Sequence, residues 1–190
     1  MTRLVLLGSP GAGKGTQAQR LSERLDVPAI STGDIFRRNV AEGTPLGQEA
    51  KRYMEAGEYV PDEVTNAMVA DRLAQPDAGK GFLLDGYPRT AAQVGELDRM
   101  LAESGTRLDA VVELTADVEE VVARLRHRAA TEGRSDDTED VIRRRLEVYA
   151  EQTAPLTDLY SERGLLLRVD GIGPVEEVTA RILAALDARG

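Results

Sequence analysis

The chain has 190 residues, with 24 Lys and Arg against 33 Asp and Glu and a formal charge of −9 at neutral pH. That sign repels phosphate polymers and acidic lipid headgroups, which excludes sequence-independent nucleic-acid binding and docking on anionic membranes, and the absence of cysteine removes disulfides, thiolate catalysis and Cys-type zinc sites. The cations are unusual: 21 are Arg and three are Lys (Lys14, Lys51 and Lys80), and Arg is the rigid fork suited to the paired oxygens of phosphate and carboxylate.

In chain order, a first strand at 4–7 leads into a glycine-rich loop and a helix at 14–25, then a second strand at 29–31. A long stretch at 32–60, punctuated by Gly43, Pro45, Gly47 and Gly57, precedes a helix at 61–73. Strand 82–84, helix 91–103, strand 110–114 and helix 118–126 follow, with Asp117 as an N-cap. A polar stretch at 127–139 then precedes a helix at 140–163 with Asp140 as N-cap, a strand at 165–169, and a helix at 175–188 with Pro174 at its first turn. The alternation predicts a five-stranded parallel sheet between two helical layers. The stretches at 32–60 and 127–139 exceed what a crossover needs and read as insertions on one domain. No apolar run approaches the ~18 residues of a membrane span, and aromatic content of 4% with no Trp argues against a stacking platform for single strands. The expectation is a monomeric, cytoplasmic protein. One histidine, His127, argues against a His-ligated metal site or a Ser-His-Asp triad; it reads as a surface residue.

Directly after the first strand, Gly8-Ser-Pro-Gly-Ala-Gly-Lys-Gly-Thr16 follows the phosphate-loop pattern G-x-x-x-x-G-K, with Gly15 before Thr16 where the strict form has Ser or Thr next to the Lys. Its glycines let successive backbone N–H groups turn inward as an anion nest, and the next helix aims its positive end at the same spot. Lys14 adds a point charge for the outer phosphates, with the Thr16 hydroxyl near a metal or the α-phosphate. A bare glycine turn explains neither Lys14 nor the strand-loop-helix context. Asp85 ends the apolar run 82–84 at the sheet edge where such folds bind ligands. It reads either as a magnesium-supporting carboxylate acting through water or as a turn former before Gly86.

Gly86-Tyr-Pro-Arg89-Thr and Gln93, together with Ser31-Thr-Gly-Asp-Ile-Phe-Arg37 and the phosphate loop, closely resemble the adenylate kinases, and the resemblance runs from Leu4 to the C-terminus. It implies a P-loop core (1–30, 61–126 and 138–190), a flap at 31–60 closing over AMP and a short lid at 127–137 closing over ATP, with no zinc. The activity implied is magnesium-dependent transfer of the terminal phosphoryl group of ATP to AMP, giving ADP. By the same resemblance Gly11, Ala12, Gly13, Lys14, Gly15 and Thr16 bind ATP phosphates, Arg124 and Arg128 form an ATP-side pair, and Gly173 offers a backbone contact to the adenine. Thr32, Arg37, Glu58, Tyr59, Val60, Gly86, Tyr87, Pro88, Arg89 and Gln93 bind AMP, while Arg134 and Arg145 bridge the nucleotides. Lys14, Arg89, Arg124, Arg128, Arg134 and Arg145 carry the transfer, and magnesium enters with ATP, held by Thr16 and through water by Asp85. Asp34 reads as a holder of magnesium-bound water or as the N-cap of the helix bearing Arg37. Arg143 and Arg144 compete with Arg145, and Arg126 with its lid neighbours.

Among rivals, a UMP/CMP kinase of the same fold tends to carry Ala where this chain has Thr32. A GTPase-type switch would show N-K-x-D, which is absent, and an early D-x-x-G, which occurs only at Asp170 and Asp187. A nucleotide-binding module without catalysis leaves Arg37, Arg89 and Gln93 without a task. Setting aside Lys14 and the six named arginines (37, 89, 124, 128, 134 and 145) leaves 17 cations against 33 acids, so the sequence predicts a basic cleft in an acidic exterior.

Overall fold

Short runs of Leu, Val and Ile that are apolar at every position can be satisfied only inside a sheet covered on both faces. The computed structural model describes residues 2–134 and 137–190. Of the expected lid, Ser135 and Asp136 lie outside the described residues, as does Met1. The strands β1 (Arg3–Leu7), β2 (Ala29–Ser31), β3 (Phe82–Asp85), β4 (Ala110–Thr115) and β5 (Leu166–Asp170) form one parallel sheet in the order β2-β3-β1-β4-β5. Its register sets Asp85 level with Leu6 on one side and Ser31 on the other, so the loops opening at Gly8, Thr32 and Gly86 leave the sheet at one edge.

Nine helices are described: α1 (Lys14–Leu25), α2 (Thr32–Glu42), α3 (Pro45–Glu55), α4 (Asp62–Leu73), α5 (Ala91–Glu103), α6 (Val118–Glu132), α7 (Glu139–Val148), α8 (Leu156–Glu162) and α9 (Val175–Asp187). Alternate residues of each strand feed two cores. Val5, Leu7 and Leu84 pack with Leu97 of α5 and Leu156 and Tyr160 of α8. Leu4, Leu6 and Leu83 pack on the other face with Leu21 of α1 and Ile182 of α9. A fully buried leucine contributes roughly 1.5–3 kcal/mol, so α1, which carries the phosphate loop at its N-terminus, is seated by the sheet itself.

The stretch 32–60, where the sequence placed a helix bearing Arg37 without bounds, holds α2 and α3. Ser31 caps α2 by accepting from the Asp34 N–H at 3.2 Å, which corrects the N-cap role considered for Asp34; Asp34 sits in the first turn and accepts from Arg37 at 2.6 Å. Thr44 caps α3 by accepting from the Gly47 N–H at 3.0 Å, with Pro45 at the first position. Asp117 caps α6 as expected, through the Glu120 N–H at 2.8 Å. However, α6 runs past 126 to Glu132, because nothing before Gly133 (φ 61°) breaks it. The expected helix 140–163 is also divided. Pro155 lacks the N–H that would continue the ladder, and a π-helical turn at Tyr149–Thr153 separates α7 from α8, with the Ala154 N–H donating to the Tyr149 carbonyl at 2.9 Å. Asp140 lies in the first turn of α7, whose N-cap position is Thr138.

Gly47 is the point where α3 crosses α2: a Cβ there would lie 2.1 Å from the Asn39 carbonyl oxygen. Backbone cannot yield to such overlap cheaply, so Gly47→Ala is expected to destabilise the 31–60 insertion by about 2–3 kcal/mol. Amide exchange should show faster opening across α2 and α3 than in α5; equal protection in both proteins would contradict it.

Candidate active site

The loop between β1 and α1 turns through Gly11 (φ 84°) and Gly13 (φ 96°), a left-handed region where a side chain is strained. A Cβ on Gly11 would also meet the Leu125 Cγ at 2.9 Å. Lys14 reaches back across the loop, its Nζ donating to the carbonyls of Gly8 (2.8 Å) and Ser9 (3.1 Å). Desolvation at the loop's base lowers the ammonium pKa to about 8, Asp85 opposing, with Arg89, Arg145 and Arg128 adding to the depression. Asp85 is buried and faces the start of α1, with its Oδ2 3.8 Å from where a Gly15 Cβ would stand. Burial pushes its pKa up, against the pull of Lys14 and Arg89.

Arg89 leaves the sheet edge just after β3. Its Nε donates to the Gly86 carbonyl at 2.7 Å, an oxygen that also accepts from the buried Thr32 hydroxyl at 2.9 Å. The Arg89 N–H donates to Gln93 Oε1 at 2.7 Å, and Gln93 is itself held by Asp62 at 2.8 Å. Tyr59 lies against Arg89, and Glu58 accepts from Arg144 at 2.6 Å, tying the end of the 31–60 segment to α7.

A second cluster forms on α6 and α7. The Asp137 carboxylate is fully buried and accepts from Arg128 Nε (2.6 Å) and Nη2 (2.7 Å) and from Arg145 Nη1 (2.7 Å). Desolvation works to raise the Asp137 pKa, but the hydrogen bonds and charges of Arg128, with Arg145 and Arg134, hold it below the ordinary 3.8. Arg134 pairs with Glu132 at 2.7 Å. Arg124 is used as a bracket, donating to Glu120 and to the carbonyls of Ala12 and Gly171.

Two cavities flank these groups. One runs between α2, α3 and β3 and has an apolar wall of Phe36, Met54 and Val60, with Thr32, Glu58 and Gln93 among its polar lining. The other lies over the N-terminus of α1 and is lined by Gly11, Gly13, Gly15, Thr16 and Asp85, with Arg124, Arg128 and Arg134 opposite. Lys14, Arg37, Arg89 and Arg145 line both. Of the remaining expected site residues, Gly86 also lines both cavities, Pro88 and Tyr59 line the first, Tyr87 is buried with its hydroxyl donating to Asn66 at 2.7 Å, the Ala12 side chain is buried, and Gly173 is exposed outside both. His127 is exposed at the rim of the second cavity. Arg143 pairs with Glu139 and Arg144 with Glu58, and neither lines either of the two cavities. Asp137, Thr153 and Tyr149 were not singled out from the sequence. The first was masked by the acidic run 136–140, and the others by a stretch read as uninterrupted helix.

Among the described residues no group of three or more His, Asp or Glu could hold a metal. The hard oxygens of Asp85 and Thr16 instead suit a cation that arrives already on a phosphate chain. Chemically, the arrangement can seat two anions on either side of a shared set of cations, one of them beside an apolar slot.

The family model described as adenylate kinase matches residues 6–165. The chain is 68% identical over 185 residues to an adenylate kinase of Nocardioides sp., covering 97% of each. It is 63% identical to an adenylate kinase of Kocuria rhizophila over 98% of this chain and 100% of that one, and 59% identical to an adenylate kinase of Thermobifida fusca over 98% and 99%.

Asp137 offers a test of the second cluster. A carboxylate whose folded pKa is depressed contributes stability above its unfolded pKa and loses it as the pH falls through the folded one. Asp137→Asn is therefore expected to be about 2–3 kcal/mol less stable than the parent at neutral pH, with the gap closing as the pH drops below the ordinary value of 3.8. Urea unfolding at the two pH values checks this; a gap that does not change with pH would contradict it.

Proposed function

Because the chain belongs to the adenylate kinase family and so transfers the terminal phosphoryl group of ATP to AMP, we propose that its two cavities are the two nucleotide sites, with the transfer taking place at the cations between them. The observation that carries this reading is that Lys14, Arg37, Arg89 and Arg145 open to both cavities at once. The ATP phosphates lie over Gly11, Ala12, Gly13, Lys14, Gly15 and Thr16, where the backbone N–H groups and the α1 dipole favour negative charge. Arg124 braces that loop through Ala12 and Gly171, and Gly173, next along, meets the adenine by its backbone. AMP enters the apolar cavity, its base against Thr32, Val60 and Gln93 and the backbone of Glu58 and Tyr59. Its phosphate is held by Arg37 and Arg89, with the Gly86–Tyr87–Pro88 backbone as the floor.

An oxygen of the AMP phosphate attacks the γ-phosphorus of ATP; the bond from that phosphorus to the β–γ bridging oxygen breaks, its electron pair stays on the β-phosphate, and two ADP result. No proton has to move, so no base is required, in keeping with one histidine exposed at the rim. The demand is alignment and charge neutralisation. Lys14, Arg128, Arg134 and Arg145 meet it around the transferring group, with Arg128 and Arg145 trading part of their contact with Asp137 for phosphate oxygens. The magnesium that accompanies ATP fits the hard oxygens of Thr16 and, through water, Asp85, and when bound it neutralises phosphate charge. The 31–60 flap and the 127–137 lid close over the two sites and exclude water, which would otherwise accept the phosphoryl group. The reading extends to a monomeric cytoplasmic enzyme of free nucleotides. Among the described residues no helix is long and apolar enough to cross a membrane, and Val118 and Val175 are the large apolar side chains left exposed there.

Two outcomes test it. Arg89→Ala is expected to bind ATP as before but to lose about 100-fold or more in kcat/KM for AMP, measured as ADP formation with AMP, UMP, CMP and GMP as acceptors; unchanged AMP kinetics would overturn the assignment. Since the Lys14 ammonium ionises near 8 in the free protein, ATP affinity should fall as the pH rises through that value, and ATP binding there should take up protons. Calorimetry in buffers of different ionisation enthalpy reads the uptake; its absence would contradict the role given to Lys14.

A further inference from the structure

Arg89 differs from the other arginines of the cleft. Arg37, Arg124, Arg128, Arg134 and Arg145 each pair with a carboxylate at 2.6–2.9 Å. Among the described residues Arg89 makes no ion pair within 4.0 Å, and neither of its Nη atoms donates a hydrogen bond. The hydrogen-bond and ring partners it does have are neutral. Gly86 and Gln93 hold its Nε and N–H, the Tyr59 ring lies under its guanidinium with the centroid 5.1 Å from Cζ, and the Thr153 hydroxyl donates to its carbonyl at 2.7 Å.

We propose that Tyr59 and Thr153 are positioning residues for Arg89, forming a neutral brace that holds the guanidinium over the acceptor cavity without neutralising the charge needed by the incoming phosphate. The inference deepens, and rests on, the reading of Arg89 as an AMP-phosphate ligand. The direction of the brace follows from proton count. Thr153 has one hydroxyl proton and gives it to the Arg89 carbonyl, so across the 2.6 Å contact with Tyr59 it is the tyrosine that donates. The resulting relay runs from Tyr59 through Thr153 to Arg89, and each bond polarises the next. The negative face of the ring attracts the cation without pairing it, whereas a carboxylate in that place would compete with the substrate. Thr153 reaches this position because the π-turn at Tyr149–Thr153 inserts one residue between α7 and α8; removing it would rotate the hydroxyl by about 100° around the helix. The brace spans three segments: the end of the 31–60 insertion, the loop after β3 and the π-turn.

The test uses Tyr59→Phe, Tyr59→Leu, Thr153→Val, Arg89→Ala and the double variant Tyr59→Leu/Arg89→Ala. Initial rates of ADP formation are measured with AMP varied at saturating ATP and the reverse, alongside thermal unfolding. Tyr59→Leu is expected to raise KM for AMP about 5- to 20-fold while KM for ATP stays within about two-fold. Tyr59→Phe and Thr153→Val, which break the same relay and nearly keep shape, should each raise it by about 2- to 5-fold. In the double variant, loss of Tyr59 should add nothing to loss of Arg89, a coupling that a purely structural role would not produce. Wild-type KM for AMP in Tyr59→Phe and Thr153→Val, or fully additive losses in the double variant, would overturn the proposal while leaving Arg89 as a ligand. Unchanged AMP kinetics in Arg89→Ala would overturn both. If Tyr59→Leu does not fold, the two near-isosteric variants decide the matter.

Discussion

Like charges resist being gathered, and this molecule gathers seven cations around one cavity at one sheet edge. Two guanidinium groups about 5 Å apart repel by roughly 3 kcal/mol at an effective dielectric near 20, so the cleft holds together only if acids balance its cations. Asp137 does this for Arg128 and Arg145, Asp34 for Arg37, Glu132 for Arg134 and Asp85 for Lys14. The acids are placed by the fold. Asp85 is fixed by the register of β3 between β1 and β2, and Asp137 is buried where α6 and α7 meet. The carboxylates on the arginines can be exchanged for phosphate, because an arginine fork that accepts a carboxylate geometry also accepts a phosphate one.

The same view resolves the excess of arginine over lysine. Many arginines outside the cleft are forks on surface carboxylates: Arg72 holds Asp77 through two bonds of 2.8 Å, Arg163 holds Asp98, Arg168 holds Glu113 across β5 and β4, and Arg99 holds Glu96 and Glu103. Each exposed pair contributes only about 0–1 kcal/mol. Their consequence is electrostatic: each pair cancels a cation against an acid outside the cleft.

Much of this was legible in the sequence where local chemistry decides the outcome. Strand-length apolar runs, the glycine loop ahead of Lys14 and Asp117 before an amphipathic run led to the right elements because each acts over a few residues. What escaped depends on contacts far apart in the chain. Thr153 looked like one more residue in a helix until Tyr59 and Arg89 came to it across 94 and 64 positions, and Asp137 looked like part of a solvated acidic run until two arginines buried it. The polar stretch after Arg126 misled for the opposite reason: polarity set it apart from the helix as an insertion, although an exposed helix face is equally polar and the helix runs on to Gly133. Tyr87, implied as a nucleotide contact, has its side chain buried in the core.

The central claim is that buried Asp137 gathers arginines for phosphoryl transfer and does not merely tether two helices. Steady-state ADP formation from ATP and AMP by Asp137→Asn, set beside the binding of each nucleotide alone, reads this directly. Turnover lowered by about ten-fold or more with each nucleotide bound nearly as before is the expected result. Wild-type turnover in a folded Asp137→Asn protein would contradict it.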